Sequence, residues 1–451
     1  MTVETPAPPL LRGAVLSRER AFAPDLARGI MLLLIVLSNT AFHLWAAPRG
    51  ASGWQPADGS WPDRAVQFAM MTALDGRAYP LFAFLFGYGM TQVFLRQTAA
   101  GTSERAAVGV LRRRSLWLFV IGVAHATLLM SGDILGYYGL ISLLLGWFLL
   151  RRSDRALKWW AGIAVAQQLL VEVVPFVVAA VQGELTTTGD PGAEPAHLAY
   201  ASGEDDWLTA AGTRLSTSLF ITLAGVPLTW LGGAHLIFLL GFLAARRGVL
   251  EQPGRYMPLL RFTAVAGIAV GWLGGLPAAL AHVGAIEATD AAQSQTGVLS
   301  GLQQFTGTAG GLGYVAAITL FAHWWTRRPR RRGATALLAV SAVGKRSLSC
   351  YLAHSLLFAP LLAAWGLGLG AHLSSAGMAL FALGVWLVTV AGAAALERRG
   401  RRGPAEVVLR RLMYGARTPD GRSRSAPVGG QQGPALQRRG EHDRGRRTPK
   451  R

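Results

Sequence analysis

Long apolar stretches alternate with short polar gaps along most of this 451-residue chain. A helix of about 20 apolar residues is long enough to cross a bilayer, and the pattern predicts about ten such spans. They lie at 26–47, 65–95, 109–130, 133–150, 156–181, 215–245, 258–283, 301–325, 336–365 and 373–396. The predicted fold is therefore all-α, a polytopic transmembrane helical bundle.

Arginine fills every second gap between these stretches. The rich gaps are 96–114, 151–158, 246–261 and 327–346, whereas 48–64, 131–133, 182–213, 284–300 and 366–375 hold almost no basic residue. Roughly 40 Lys and Arg fall on one side and about three on the other. Basic residues stay cytoplasmic because their translocation is costly. We therefore predict that both ends lie inside and that the protein is multi-pass in the cell's inner (plasma) membrane.

Composition supports this interpretation. Hydrophobic residues make up 51% of the chain and charged residues only 15%, unlike a soluble domain of this length. The net charge of +20 lies in short loops and the tail, where anionic lipid headgroups are the natural partner, so nucleic acid is excluded. The single cysteine, Cys350, excludes disulfides and thiolate metal clusters. The excess of Arg over Lys, with abundant Ala and Gly, is typical of a GC-rich bacterial genome.

Four regions are predicted from these patterns. They are a cytoplasmic N-terminal segment (1–25), the transmembrane domain (26–397), a cytoplasmic juxtamembrane segment (398–415) and a disordered basic tail (416–451). The first apolar run is too long for a signal-peptide core and serves as the first span. The acidic gap 182–213 is expected to be a solvated outer loop that can cap a cavity.

Two spans contain helix-breaking residues. The second is interrupted by Asp75-Gly76-Arg77 and then Pro80, and the sixth contains Pro227 and Gly232-Gly233. Backbone groups freed by a break are tolerated in a membrane only where they line a cavity or are bonded within the protein. A break in the second span is therefore expected, with a kink in the sixth.

Polar side chains share one face of the first span. Asp25, Arg28, Asn39 and His43 fall within roughly 60° of one another on a helical wheel. They are candidates for a site, because polar residues within spans are costly. A structural alternative stays open, with Asp25–Arg28 as a boundary ion pair, Asn39 bonding two helices and His43 at the interface.

Two further pairs are candidates for chemistry. Arg77 can bind an anionic group at the predicted break, or simply pair with Asp75. His125 and Asp133, eight residues apart, can form a general base in which the carboxylate fixes the tautomer and the second ring nitrogen takes a proton. The alternative is a hydrogen-bonded core histidine with a turn-capping aspartate.

The ninth span carries a polar stripe, Ser347, Tyr351, His354 and Ser355, at helical spacing. This stripe can line a pathway, although hydrogen bonding between helices explains it equally well. The same holds for Glu172 in the fifth span and His235 in the sixth.

The glycine-rich segments and the distribution of ligand-type residues exclude two kinds of site. Segments 310–313 and 366–370 are not phosphate loops, because neither follows a strand and no P-loop lysine is present. No zinc-type His/Cys cluster occurs, so no metal is predicted.

Five segments, taken in order, resemble one family. They are Asp25-Leu-Ala-Arg28-Gly29 leading to Asn39, GRAYPLFAFLFGYGM (76–90), IGVAHATLLMSGDIL (121–135), VGKRSLSCYLAHSLL (343–357) and GPAEVVLRRLMYG (403–415). Together they are similar to the signature motifs of the YeiB-like membrane proteins, catalogued as domain of unknown function 418. His354 stands where Gln is commoner in that family.

That family is in turn similar, over its first two spans, to transmembrane acyltransferases of the heparan-α-glucosaminide N-acetyltransferase and acyltransferase-3 types. The resemblance implies that a histidine on the outer side accepts or relays the acyl group. His43 is the nearest candidate, but it follows Asn39 by only four residues, which makes His125 a rival.

The first functional hypothesis is an acyltransferase that passes an acyl group from cytoplasmic acyl-CoA to an extracytoplasmic hydroxyl or amine. His43 or His125 would act as relay or base, with Asp133 orienting it and Asn39 donating to the oxyanion. Basic residues at the inner face would hold the donor phosphates: Arg28, the run 112–114 and Lys345-Arg346. The residues assigned to donor or substrate binding are Asp25, Arg28, Asp75, Arg77, Tyr351 and His354.

The second hypothesis is a proton-coupled transporter for small solutes, using the broken second span with Glu172, His235 and His354. No internal repeat supports it. A non-catalytic scaffold is the third possibility.

Overall fold

The computed structural model describes residues 21–414, except 186, 188, 191–195 and 329–333. In this part of the chain the fold is all-helical, and the sole β pairing is an isolated bridge between Arg49 and Pro56. The predicted all-α class is thus confirmed. The predicted tail (416–451) and residues 1–20 of the N-terminal segment lie outside the described residues.

Sixteen α-helices follow one another in the described part of the chain. In order they are α1 (Phe22–Ser38), α2 (Trp61–Ala73), α3 (Ala78–Ala99), α4 (Glu104–Leu128), α5 (Ile134–Phe148), α6 (Asp154–Gln168), α7 (Val174–Gln182), α8 (Trp207–Leu231), α9 (Leu236–Arg247), α10 (Met257–His282), α11 (Asp290–Gln293), α12 (Val298–Thr326), α13 (Ala334–Lys345), α14 (Ser347–Leu362), α15 (Ser375–Arg398) and α16 (Pro404–Tyr414). A π-helical turn, Leu169–Val173, joins α6 to α7.

Several of these helices are long and apolar enough to cross a membrane. Six qualify among the described residues, or seven if α8 and α9 form one bent span. They support a multi-pass membrane protein, whereas the predicted count of ten is not reached. Three further apolar helices are shorter than a span: Ile134–Phe148, Thr335–Lys345 and Ser347–Leu362.

The predicted ninth span, 336–365, is two helices rather than one. Helix α13 runs antiparallel to α1, since Gly29 lies against Val340 and Asp25 against Gly344. Helix α14 runs parallel to α1, because its last residue, Leu362, accepts a hydrogen bond from the indole of Trp45. The chain reverses at Arg346, which stands between the two helices.

Arg346 is held at this reversal by polar partners. Its side chain is buried and donates to a carboxylate oxygen of Glu397 at 2.7 Å and to the carbonyl of Arg401. A buried guanidinium needs such partners. The chain reversal therefore depends on contacts with residues that are distant in the sequence.

Both predicted interruptions are present. Helix α2 ends at Ala73 and α3 begins at Ala78, with Gly76 between them at φ +79°. Helices α8 and α9 meet at 73°, with Gly233 at φ +76°. Glycine adopts positive φ without the steric cost of a Cβ, so the chain can turn sharply at both positions. Pro227 lies inside α8 and does not end it.

The arginine-rich gaps meet at one end of the bundle. Side-chain contacts link Arg151 to Glu104 at 3.3 Å, Arg246 to Asp154 at 2.8 Å and Lys345 to Glu397 at 2.6 Å. The arginine-poor gaps meet at the other end, where His282 contacts Pro56, Asp190 contacts Thr296 and Ala364 contacts Ser202. The two classes of gap are thus segregated; that the arginine-rich end faces the cytoplasm stays a prediction.

Close backbone approach defines the packing of α10 on α12. A Cβ built on Gly271 would lie 2.7 Å from the Cα of Gly310, and one on Gly267 would lie 2.9 Å from the Cα of Gly313. Glycines at such crossings let two helix backbones touch, which stabilises helix pairs in membranes by close packing. Helix α12 of this pair also packs against the break between α2 and α3, because a Cβ on Gly307 would meet the backbone of Gly76.

We expect a Gly271→Val substitution to force α10 away from α12. The added side chain has no space, so unfolding in detergent should become easier by about 1–3 kcal/mol. Gly392→Val in α15 is the matched control, because nothing lies within 4 Å of a Cβ at that position. Thermal unfolding of both variants measures the effect, and equal midpoints would contradict the packing argument.

Candidate functional site

A histidine, an aspartate and a tyrosine from three helical segments form a hydrogen-bonded group. Asp133 Oδ1 lies 2.8 Å from His125 Nδ1 and accepts a hydrogen bond from the Tyr351 hydroxyl at 3.1 Å. All three side chains are buried. We call this group the His125–Asp133–Tyr351 cluster.

Local structure holds the carboxylate in place. Asp133 is the N-cap of α5, and its second oxygen accepts the Gly136 N–H at 2.7 Å. The Tyr351 hydroxyl accepts the Ile134 N–H at 3.3 Å, which fixes its proton toward Asp133. Gly122 of α4 lies directly against the Gly136 backbone, so α4 and α5 approach closely enough for His125 to reach Asp133.

The geometry suits acid–base chemistry. An Asp on one ring nitrogen favours the tautomer in which that nitrogen carries the proton and the other accepts one. The other nitrogen, His125 Nε2, is buried and has no hydrogen-bond partner among the described residues. A buried polar atom without a partner is costly, so it is a place where a substrate proton would bind.

A cavity of about 390 Å³ extends from the arginine-rich end to Tyr351, the one member of this cluster that lines it; we call it the basic cavity. Its basic lining residues are Arg28, Arg96, Arg114 and Lys345, and its acidic ones are Asp25, Glu251 and Glu406. Its apolar wall includes Met31, Leu32, Phe82, Leu85, Phe86, Leu118 and Leu135. Tyr351 lines it as well.

The basic cavity changes character along its length. On α3 its lining runs from Arg96 to Phe82, which is about 20 Å at the helical rise. The charged residues belong to the arginine-rich end, and the apolar ones, with Tyr351, lie beyond them. The cavity therefore fits a molecule with an anionic head and an apolar chain.

The acidic residues of the basic cavity are engaged. Asp25 pairs with Arg28 at 3.2 Å, and Glu251 accepts hydrogen bonds from Gln92 at 2.9 Å and from Tyr88. Glu406 caps α14 by accepting the Leu348 N–H at 2.9 Å. These contacts satisfy the acidic side chains, and the four basic side chains of the lining outnumber the three acidic ones by one.

The other arginines that the sequence hypothesis assigned to the donor phosphates do not all line the basic cavity. Arg114 does, and its guanidinium lies 4.9 Å from the ring centre of Phe86. Arg112 instead packs over Trp147, and Arg346 is occupied at the α13–α14 reversal.

A second cavity, of about 230 Å³, lies at the arginine-poor end; we call it the amide cavity. Its polar lining includes Ser38, Gln55, Asp75, His282, Gln293, Ser300, Gln303 and Gln304, with the aromatic rings of Phe42 and Trp54. Asp75 accepts hydrogen bonds from Gln55 at 2.8 Å and Ser38 at 3.3 Å. The predicted break between α2 and α3 thus lines a cavity.

Arg77 is held by main-chain carbonyls at the break between α2 and α3. Its side chain is fully buried and donates to the main-chain carbonyls of Met71 at 3.3 Å, of Asp75 and of Gly271. It contacts the carbonyl of Asp75, not its carboxylate, and it lines neither cavity. The guanidinium caps the end of α2 and ties it to α10.

The remaining candidates divide between two places. Asn39, Tyr351 and His354 line a small void of about 10 Å³, where His354 Nε2 lies 3.1 Å from the Thr389 hydroxyl. His43 is buried elsewhere: its ring lies edge-on to Phe358 at 5.2 Å, and neither ring nitrogen has a partner among the described residues. His43 lines none of the three cavities.

Glu172 and His235 are not brought together. Glu172 lies on the exposed face of the π-helical turn, and His235 is fully buried at the N-terminus of α9, stacked on Trp230 at 4.6 Å. Neither lines one of the three cavities.

The sequence patterns did not single out Glu251 or Gln55. Glu251 is an acid within an arginine-rich gap, and this isolated opposite charge is the signal that could have marked it; its partners are Tyr88 and Gln92. Gln55 lies in a polar gap, and no pattern there distinguishes it from other loop residues.

Comparisons with known proteins match this arrangement to one family. Residues 244–416 match the family described as "Protein of unknown function (DUF418)". The chain is also 25% identical over 422 residues to "Uncharacterized protein YxaH" of Bacillus subtilis (strain 168), covering 88% of this chain and 95% of that protein. These two matches support the predicted resemblance to the YeiB-like family, and the apolar helices support an integral, multi-pass membrane protein.

Proposed function

We propose that the protein is a membrane acyltransferase that passes an acyl group from cytoplasmic acyl-CoA to a hydroxyl or amine on the other side of the membrane. One observation carries the proposal: the basic cavity ends at Tyr351, whose hydroxyl is bonded to the His125–Asp133 pair. A donor site and a general base are therefore adjacent, as acyl transfer requires.

The basic cavity matches the donor in charge and polarity. Arg28, Arg114 and Lys345 would bind the CoA phosphates, since guanidinium and ammonium groups bind phosphate by charge-assisted hydrogen bonds. The acyl chain would lie against the apolar wall, which includes Leu32 and Phe86. The predicted orientation places this opening on the cytoplasmic side, where acyl-CoA is made.

The reaction would follow general-base catalysis. As the acceptor oxygen or nitrogen bonds to the thioester carbonyl carbon, His125 Nε2 takes its proton; the C–S bond then breaks and the CoA sulfur receives that proton. Asp133 holds the ring and stabilises its charged form. The Asn39 amide, across the small void from Tyr351, would donate to the developing oxyanion.

Transport is the second candidate, because the bundle contains two broken helices, at 74–77 and 232–235, and transporters commonly bind solutes at such breaks. The proposed proton path is not continuous, however, since Glu172 is exposed while His235 is buried against Trp230.

Binding of octanoyl-CoA to the purified protein tests the donor site. We expect saturable binding that weakens as ionic strength rises, because charge attraction is screened. Arg114→Gln should weaken binding about 10-fold or more, as expected for a charge-assisted hydrogen bond. Titration calorimetry in detergent measures both effects.

Arg261→Gln is the matched control, since Arg261 is exposed on α10 near the same end and lines none of the three cavities. If folded protein binds neither octanoyl-CoA nor acetyl-CoA, the acyltransferase proposal fails. Solute uptake by proteoliposomes would then be the next measurement.

A further inference from the structure

The amide cavity is not used by the donor, and its lining is unusual. Four glutamine side chains, Gln55, Gln293, Gln303 and Gln304, face it together with Asp75 and Ser300. Each amide both donates and accepts hydrogen bonds, a serine hydroxyl does the same, and an ionised carboxylate only accepts. Such a set matches a ligand whose groups each donate and accept.

The charges that face the cavity exclude several ligand classes. No Lys or Arg of the described residues lines it, His282 bonds the Pro56 carbonyl, and the carboxylate of Asp75 would repel an anion such as a phosphate. The carboxylate accepts only from neutral groups, Gln55 and Ser38, while the nearby guanidinium of Arg77 donates to main-chain carbonyls. The amides of Gln55, Gln293 and Gln303 each donate one hydrogen bond within the protein, to Asp75, Ala288 and Met71. A purely apolar ligand would leave their remaining donor and acceptor capacity unused, which is costly.

Aromatic rings complete the lining. Phe42 and Trp54 both face the cavity, their ring centres 5.4 Å apart and nearly perpendicular. Trp54 and Gln304 are also exposed, so the cavity is open to the surface. Rings of this kind pack against the C–H face of a small cyclic molecule while the amides bind its edge.

The cavity is separated from the His125–Asp133–Tyr351 cluster by a thin wall. Phe42 stacks on Tyr200 with ring centres 3.9 Å apart, and the Tyr200 ring lies against Gly132, the neighbour of Asp133. Burial raises the pKa of the Tyr200 phenol above its ordinary value, so this wall carries no charge at neutral pH. On α1, Ser38 faces the amide cavity and the next residue, Asn39, faces the small void beside Tyr351.

We propose that the amide cavity binds an uncharged, hydroxyl-rich molecule the size of one sugar or polyol, either free or as the headgroup of a larger molecule. A hydroxyl donates one hydrogen bond and accepts others, which is the pattern that glutamine amides and Asp75 satisfy. That this molecule is the acyl acceptor rests on the proposed function. That it binds in the amide cavity does not.

Saturation-transfer NMR on the purified full chain tests this site with glucose, myo-inositol and glycerol as probes. Ethanolamine serves as the ammonium comparison. Inorganic phosphate is the anion comparison and is followed by broadening of its ³¹P line, because it has no carbon-bound proton. We expect transfer to at least one hydroxyl-rich probe and no broadening for phosphate. Gln304→Ala should weaken that binding about 2- to 10-fold, as expected for one neutral hydrogen bond.

Gln182→Ala is the matched control, because Gln182 is an exposed glutamine at the end of α7 that does not line the cavity. Asp75→Asn should weaken the binding of the sugar or polyol less than it weakens the binding of ethanolamine, each relative to the unmodified protein. The proposal is overturned if the folded protein binds only ethanolamine, only phosphate or none of the five probes. Sugar binding without any acyl-CoA binding would overturn the proposed function alone.

Discussion

Replacing His125 by Gln is expected to lower acyl transfer by about 10²- to 10⁴-fold, the usual contribution of a general base. Glutamine keeps the volume and can still bond to Asp133, but its amide cannot take a proton from an acceptor. Release of free CoA from octanoyl-CoA, with myo-inositol or ethanolamine as acceptor, measures the rate. Octanoyl-CoA binding should stay within a few-fold of the original, because His125 does not line the basic cavity.

His43→Gln is the matched comparison, since His43 was the other histidine candidate. Its ring packs against Phe358 and, unlike that of His125, bonds no carboxylate among the described residues, so we expect transfer within a few-fold of the unmodified protein. Loss of transfer in His43→Gln alone would assign the base to His43. Full transfer in both variants would eliminate the histidine mechanism.

Replacing Arg77 by Leu is expected to destabilise the bundle by about 3–5 kcal/mol, as for the loss of one partner of a buried charged network. Arg77 is fully buried and bonds the carbonyls of Met71 and Gly271, on α2 and α10. Without it, buried carbonyls lose their donor, and each such loss costs about 1–3 kcal/mol. Thermal unfolding in detergent, followed by circular dichroism, measures the effect.

Arg64→Leu is the control, because Arg64 is exposed on α2 and should be nearly neutral. Arg77→Lys should recover part of the stability, since an ammonium group reaches fewer carbonyls than a guanidinium. If Arg77→Leu instead unfolds like the unmodified protein, the guanidinium does not hold α2 to α10. A substrate-binding role for Arg77 would then need to be reconsidered.

The single polar face predicted for the first span is not kept: α1 ends at Ser38, and His43, in the 3₁₀ turn after it, lines none of the cavities. Arg28 and Asp25 face the basic cavity, Asn39 faces the void beside Tyr351, and Ser38 faces the amide cavity. One helix therefore contributes to the proposed donor site, to the catalytic cluster and to the wall of the amide cavity. Gly29 lets α13 pack directly on its back, opposite Val340.

The class of the fold could be predicted from the sequence alone. Apolar length and arginine spacing predicted a helical membrane protein whose gaps segregate to two ends, and Gly76 and Gly233 marked the turns. These features are local: helix length, charge and the freedom of glycine act within one segment, so they can be recognised without knowing the neighbours. His125 and Asp133 are also close in sequence, and their contact could be anticipated.

Which polar residues lie together depends on the tertiary structure. It brought Tyr351 to Asp133 across more than two hundred residues of chain, used Arg77 to bind carbonyls, and turned the chain at Arg346. It also built the amide cavity around Gln55, which no sequence pattern marked. The physical reason is that the partner of a buried polar group is set by helix packing, because every such group must be bonded within the protein wherever lipid excludes water.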